Sequence, residues 1–212
     1  MSKMNVNIYV ADSSHVIYAD AICELIQKSA LERGTGIAKR SPEYIAQKMI
    51  TRRAVIALDG KELVGFSYIE TWSHSKFVAN SGLIVAHKYR SFGFAKKIKS
   101  KIFHLSRKLY PNSKIFSITT GLAIMKLNTQ LGFKPVTFSE LTEDKEFWRG
   151  CEGCINFDIL KRNNYKICLC TGLLYDPAFK SVSKIAPALV SASKHLIIKP
   201  LVKINSIITF KK

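Results

Sequence analysis

The chain has 212 residues, 47% of them apolar, which suffices for one ordinary domain with a full hydrophobic core plus an appendage and excludes a disordered chain. Its 33 Lys and Arg against 15 Asp and Glu leave a net charge of +18, so anionic partners are favoured: nucleotides, carboxylates, nucleic acid or acidic lipid. No run of 18 residues is free of charged and polar groups, residues 1–14 contain no apolar signal core, and there are five cysteines. The chain therefore reads as cytosolic, with thiols or metal ligands rather than disulfides.

Val6, Ile8 and Val10 alternate with Asn7 and Tyr9 as a first strand would, and a polar break at residues 12–14 precedes a helical stripe of Tyr18, Ile22, Leu25 and Ile26. After a loop at residues 32–40, Ser41, Pro42 and Glu43 supply a cap, a first-turn proline and an acid for a second helix. Residues 54–58 and 63–70, joined at Asp59-Gly60, read as a hairpin, and residues 77–86 add a third strand. The stretch YRSFGFAKK (89–97) then runs into a helix whose inner face is predicted to be Ile98, Ile102, Leu105 and Leu109. Strand, glycine turn and helix together form an anion cradle. Gly93 lets the backbone turn and approach a ligand, successive N–H groups face outward, and Arg90 and Lys96 add charged donors. The same short pattern also suits a plain tight turn followed by a solvated lysine face.

The segment LIVAHKYRSFGFAKKI (83–98), followed by KIFSITT (114–120) and GLAIMKLNTQLGF (121–133), resembles the acyl-coenzyme A (CoA) binding region of the GNAT acetyltransferase superfamily. The family pattern is Gln or Arg-x-x-Gly-x-Gly or Ala, and the likeness covers roughly residues 5 to 140. It implies an α/β (α+β) fold: a central mixed, mostly antiparallel sheet flanked by helices and splayed between its fourth and fifth strands. It also implies that the backbone of Leu83, Ile84 and Val85 pairs with the pantetheine amides. One N–H there would polarise the thioester carbonyl, and Arg90, Ser91, Phe92, Gly93, Phe94, Ala95 and Lys96 would hold the pyrophosphate.

Acetyl-CoA or another acyl-CoA is then the co-substrate, attacked directly by a primary amine in a ternary complex. An alkylammonium of pKa ~10.4 costs roughly 4–5 kcal/mol to deprotonate at pH 7, so a base is expected. Glu70, His74, and Thr119 or Thr120 holding a water are the candidates, each equally readable as a polar strand-end residue. Asn128 stands where many members carry a tyrosine that hydrogen-bonds the departing thiolate, and an amide donates a hydrogen bond but no proton. Either Asn128 stabilises the thiolate, water protonates it, Tyr165 or Tyr175 reaches in, or Asn128 faces solvent.

Residues 1–146 form the GNAT-like core in this reading, residues 147–177 a cysteine-rich extension completing the domain, and residues 178–212 a basic amphipathic tail. The extension pairs Cys151 and Cys154 with Cys168 and Cys170 across thirteen intervening residues. If KICLC is a strand, the last two thiols share a face. The four then suit a structural zinc, or else pack as small apolar side chains. The tail holds seven lysines and no acid, broken by Pro187 and Pro200; it suits packing on the chain's own domain, a homodimer arm or a membrane surface.

Residues 35–45 and 119–128, with FWRGC and CLCTGLLYDP, further resemble bacterial GNAT proteins described as glutamate N-acyltransferases of arginine synthesis. That implies a small acidic acceptor, its carboxylates held by Lys39, Arg40, Lys126 and Arg149. Two alternatives stand beside it: a non-catalytic acyl-CoA sensor, consistent with Asn128, and a zinc-containing nucleic-acid binder. The basic residues are not interleaved with a base-stacking or groove-reading motif, which disfavours the second.

Overall fold

The structure, a computed structural model, describes residues 4–34 and 39–179. The chain divides into two compact units, residues 1–177 and 178–212. The expectation for the basic tail lies outside the described residues from residue 180 onward.

In the first unit a short strand, β1 (Val6–Val10), leads through a 3-10 turn into α1 (Ala19–Arg33). Ser41 caps α2 (Pro42–Ile50), its hydroxyl accepting the Tyr44 N–H, with Pro42 in the first turn as the sequence predicts. Three antiparallel strands follow: β2 (Ala54–Asp59), β3 (Glu62–Trp72) and β4 (Phe77–Val85). After them come α3 (Phe94–Leu109), β5 (Lys114–Thr119), α4 (Leu122–Gln130) and β6 (Lys134–Val136). Two short helices, α5 (Lys145–Arg149) and α6 (Phe157–Arg162), precede β7 (Thr171–Tyr175). Among the described residues no helix is long and apolar enough to cross a membrane.

The strands form one sheet in the order β1-β2-β3-β4-β5-β7-β6, antiparallel except for the β4–β5 pair. Alternation along the strands divides the core between the two faces. Ile22 and Ile26 of α1 and Ile45 and Met49 of α2 pack on Ile56, Phe66 and Ile84. On the other face Ile98, Ile102 and Phe103 of α3 pack on Val64, Val78 and Val85. Each fully buried apolar side chain of this size contributes roughly 1.5–3 kcal/mol, so these two layers fix the sheet between the α1–α2 pair and α3. A third cluster joins Phe116 and Leu174 to Phe138, Trp148 and Leu160.

The buried stripe of α3 runs through Phe94, Ile98, Lys99, Ile102, Phe103 and Ser106. It follows the 3.6-residue period from Phe94 and leaves Leu109, predicted to be core, exposed in the last turn. Cys168 and Cys170 lie in irregular chain just before β7 rather than in a strand.

Two irregularities open the sheet. Parallel pairing of β4 with β5 holds for Phe77 with Lys114, Val78 with Ile115 and Ala79 with Phe116, and then stops. From there β5 continues along β7 as far as Thr119, so the two parallel strands part after Ala79. The β3–β4 register also shifts between Phe66 and Tyr68, near Gly82, whose φ is +61°. A Cβ at Gly82 would lie 2.3 Å from the Tyr68 ring; both the backbone angle and the close approach require glycine.

Candidate functional site

A cavity of about 1300 Å³ runs through the gap where β4 and β5 separate. Its first end is the turn into α3. Gly93 caps the helix with φ +81°, Ser91 before it has φ +68°, and the first turn of α3 carries no acid. Ser91, Gly93, Phe94, Ala95 and Lys96 line this end. A Cβ on Gly93 would meet no atom within 4 Å, so the glycine keeps a space open in front of the helix N–H groups. A sixteen-residue helix presents its positive end there, which suits an anion. Arg90 lines the same end but is tethered: Nε donates to the Val85 carbonyl at 3.1 Å and the guanidinium pairs with Glu32 at 2.8 Å. Leu83 and Val85 also face the cavity. The Phe92 side chain is 52% exposed and that of Ile84 is buried in the α1–α2 layer, because neighbouring strand residues face opposite sides, so the part of either residue that a ligand here would meet is its backbone.

The second end is polar and lies on the α1–α2 side of the sheet. Glu70 of β3 is buried there, and three donors converge on its carboxylate. Tyr44 Oη donates to Oε1 at 2.5 Å, Arg40 to the same oxygen at 3.4 Å, and Ser81 Oγ to Oε2 at 2.6 Å. Arg40 Nε also donates to Tyr68 Oη at 2.9 Å. Burial first, and then the Glu70 charge, push both tyrosine hydroxyls far above their usual range, so both stay neutral. Burial likewise lowers Lys48, whose ammonium sits 4.8 Å from the Tyr44 ring centroid. Lys39 and Arg40 line this end, as expected of acceptor-binding residues, although Arg40 already serves Glu70.

The other expected site residues divide. Thr119 and Thr120 line the cavity, with Thr119 Oγ1 accepting the Gly121 N–H at 3.0 Å. His74 does not; it is exposed in the β3–β4 turn with φ +53°. Lys126 lies off the cavity on the exposed side of α4, and Arg149 is exposed and paired with Glu146 within α5. Neither is placed to hold an acceptor bound in this cavity. Asn128 is fully buried but is not part of the cavity wall, and within the described residues neither its Oδ1 nor its Nδ2 has a hydrogen-bond partner. Tyr165 and Tyr175 do not reach in either. Tyr165 packs at Trp148, while Tyr175 is buried against Phe103 and Phe133.

The sequence reading missed Lys99. Its side chain is 1% exposed and lines the cavity, with Nζ 3.5 Å from Asn80 Oδ1 and 5.3 Å from the centroid of the Phe133 ring. Asn80 in turn donates to Ser106 at 2.8 Å. Burial alone pushes the Lys99 amine down to about 7. No local signal marks it, since α3 is rich in lysines and the others are exposed or half-buried.

The third end of the cavity is apolar, walled by Trp72, Phe116, Phe138, Phe147 and Leu160 together with Cys151, Cys154, Cys168 and Cys170. The expected zinc finds no support: among the described residues no three His, Cys, Asp or Glu side chains are grouped to hold a metal ion. All four thiols are free and half-buried, and Cys151, Cys168 and Cys170 pack against the aromatic cluster. Burial pushes Cys151 up to about 11 and Cys170 up to about 12, as suits neutral thiols acting as small apolar side chains.

A seven-stranded sheet, opened where its one parallel pair of strands separates, with a glycine turn and a long helix at the mouth of the opening, is the fold of the GNAT acetyltransferases. Similar solved structures include N-acetylglutamate synthase from Neisseria gonorrhoeae complexed with coenzyme A and N-acetyl-glutamate, at 18% identity and a TM-score of 0.56. That match covers 82% of this chain but 36% of the synthase, so the chain spans about a third of that protein's length. Diaminobutyrate acetyltransferase from Paenibacillus lautus, in complex with L-2,4-diaminobutyric acid and coenzyme A, matches at 11% identity and a TM-score of 0.55, covering 82% of this chain and 96% of that one. A GNAT-family acetyltransferase from Staphylococcus aureus matches at 16% identity and 0.53, covering 66% and 90%. At these identities the likeness is one of fold. Neither protein-family models nor curated proteins match the sequence.

Proposed function

We propose that the protein is an acyl-CoA-dependent N-acyltransferase acting on the primary amine of a small acceptor. The observation that carries this reading is the continuity of the cavity, from the anion-binding mouth of α3, through the β4–β5 gap, to the Glu70 cluster. The chain's own residues divide the work. The α3 N-terminus, Ser91 and Lys96 hold the pyrophosphate, while the β5-facing edge of β4 beyond Ala79, left open by the parting of the strands, aligns the pantetheine arm and supplies an N–H to the thioester carbonyl. On the opposite side Glu70 accepts a proton from the incoming ammonium, directly or through Ser81. Fixing both reactants in one cavity lets the amine attack the thioester directly.

Within that reading the acceptor is a small amino acid with an extra carboxylate, glutamate being the leading candidate. Lys39 at the polar end, the basic surface and the N-acetyl-glutamate of the Neisseria synthase complex support it, while the diaminobutyric acid of the other complex supports only a small amino-acid acceptor.

Initial rates measured with acyl-CoA and acceptor both varied, across acetyl and succinyl thioesters and an amino-acid panel, test the reading. Double-reciprocal plots are expected to intersect, with an acidic amino acid giving the highest kcat/KM. Parallel plots would replace the ternary complex with a covalent acyl-enzyme. Tight acyl-CoA binding with no turnover on any amine would favour the sensor alternative, which the position of Asn128 off the cavity wall keeps in view.

A further inference from the structure

Transfer of an acyl group leaves a thiolate on coenzyme A, and the residue at the family's tyrosine position, Asn128, is not part of the cavity wall. Lys99 is. Parallel pairing stops at Ala79, so Asn80 is the first β4 residue past the point where the strands part, and the Lys99 ammonium sits on its side-chain oxygen. Next along β4, Ser81 faces the opposite side and donates to Glu70. A thioester threaded through this gap therefore has a carboxylate cluster on one face of the sheet and a buried amine on the other.

We propose that Lys99 is the catalytic acid that protonates the departing coenzyme A thiolate, an inference that rests on the acyltransferase reading above. The acceptor nitrogen forms its bond to the thioester carbon, the C–S bond breaks with its electron pair on sulfur, and one Lys99 Nζ–H proton moves to that sulfur. Lys99 is left neutral and is recharged from solvent, while the proton shed by the acceptor amine leaves through the Glu70 side.

The surroundings suit this role. Asn80 faces Nζ from β4, Ser106 lies behind Asn80 on α3, and the Phe133 ring covers Nζ from the segment after α4, with Tyr175 of β7 packed beyond Phe133. No charged side chain perturbs Lys99, so what opposes transfer is the 3.5 Å hydrogen bond to Asn80 and the Phe133 ring face, both weaker than an ion pair. An ammonium poised near 7 hands a proton downhill to an ordinary alkyl thiolate, whose acid has a pKa of about 8.5.

The test is the single-turnover rate of the full-length chain between about pH 6 and about pH 10, for wild type, Lys99→Met and Lys99→Arg, with coenzyme A affinity measured by calorimetry. The wild-type rate is expected to rise up to about pH 7 and then level off, because above that pH the gain in neutral acceptor is offset by loss of the Lys99 proton. Lys99→Met, close in volume, is expected to be about ten- to a hundredfold slower, to keep climbing with pH where the wild type levels off, and to bind coenzyme A normally. Lys99→Arg keeps the charge but cannot release a proton in this range, and is expected to be equally slow.

A Met variant with wild-type rate and profile overturns the inference, and so does an Arg variant as fast as wild type, since charge alone would then suffice. A wild-type rate that climbs steadily to the top of the range overturns it without any variant, which covers the case in which the substitutions do not fold. Absence of thiol release from every acyl-CoA in the wild type would instead remove the acyltransferase reading itself.

Discussion

Glu70→Gln is expected to lower turnover about a hundredfold, the usual contribution of a positioned base, while acyl-CoA affinity stays unchanged. The carboxylate accepts from Tyr44, Arg40 and Ser81 at once. The neutral amide keeps the shape but presents two N–H donors to a ring of groups that all donate, and it leaves Arg40 without its charge partner. Removing one member of a buried charged pair costs about 3 kcal/mol, so a lower melting temperature should accompany the loss of turnover. Arg40→Met in the Glu70→Gln background removes the stranded charge and should restore much of the stability but none of the rate. Turnover in Glu70→Gln within a factor of two or so of wild type would exclude Glu70 as the base and leave Thr119 or Thr120, acting through a water, as the alternatives on the cavity wall.

Gly93→Val should weaken coenzyme A binding at least tenfold, about 1.4 kcal/mol. Two effects act together. The left-handed φ of +81° is strained for any L residue and most of all for a β-branched one. The side chain would also project into the space in front of the α3 N–H groups, where no protein atom lies within 4 Å of a Cβ. A melting curve separates them, because strain lowers stability with or without ligand, whereas loss of the cradle removes the rise in melting temperature that coenzyme A confers. Calorimetry giving unchanged affinity would contradict the assignment of this turn as the pyrophosphate site.

Much of the scaffold could be read from local pattern. The alternation in residues 6–10, the Ser41-Pro42 cap, the Asp59-Gly60 hairpin and the strand, turn and helix around Gly93 are all short-range features, and each appears where the sequence predicts it. The chemistry was less legible because it depends on which strand faces which helix. Glu70 could be nominated because it lies near the end of a strand, but its partners Tyr44 and Arg40 belong to α2 and the segment before it, and only the folded sheet brings them together. His74 and Arg149 were nominated by residue type and proximity in sequence, and each is exposed away from the cavity. The cysteine pairs had metal-like spacing. The irregular path before β7 sets Cys168 and Cys170, together with Cys151, against an aromatic cluster. Lys99 was hidden among lysines that look alike in sequence, and what sets it apart is the helix phase that turns it inward beside Ile98 and Ile102.

The measurement closest to the central claim is a stoichiometry. Full-length protein, an acyl-CoA and an amino-acid acceptor are incubated together, and released thiol and N-acylated product are counted in the same sample. A cavity that joins a coenzyme A cradle to an amine-binding cluster predicts one thiol for each N-acyl product, and no release above the uncatalysed rate when the amine is left out. Acyl-CoA that binds but is never consumed, or thiol released without any acylated amine, would contradict it.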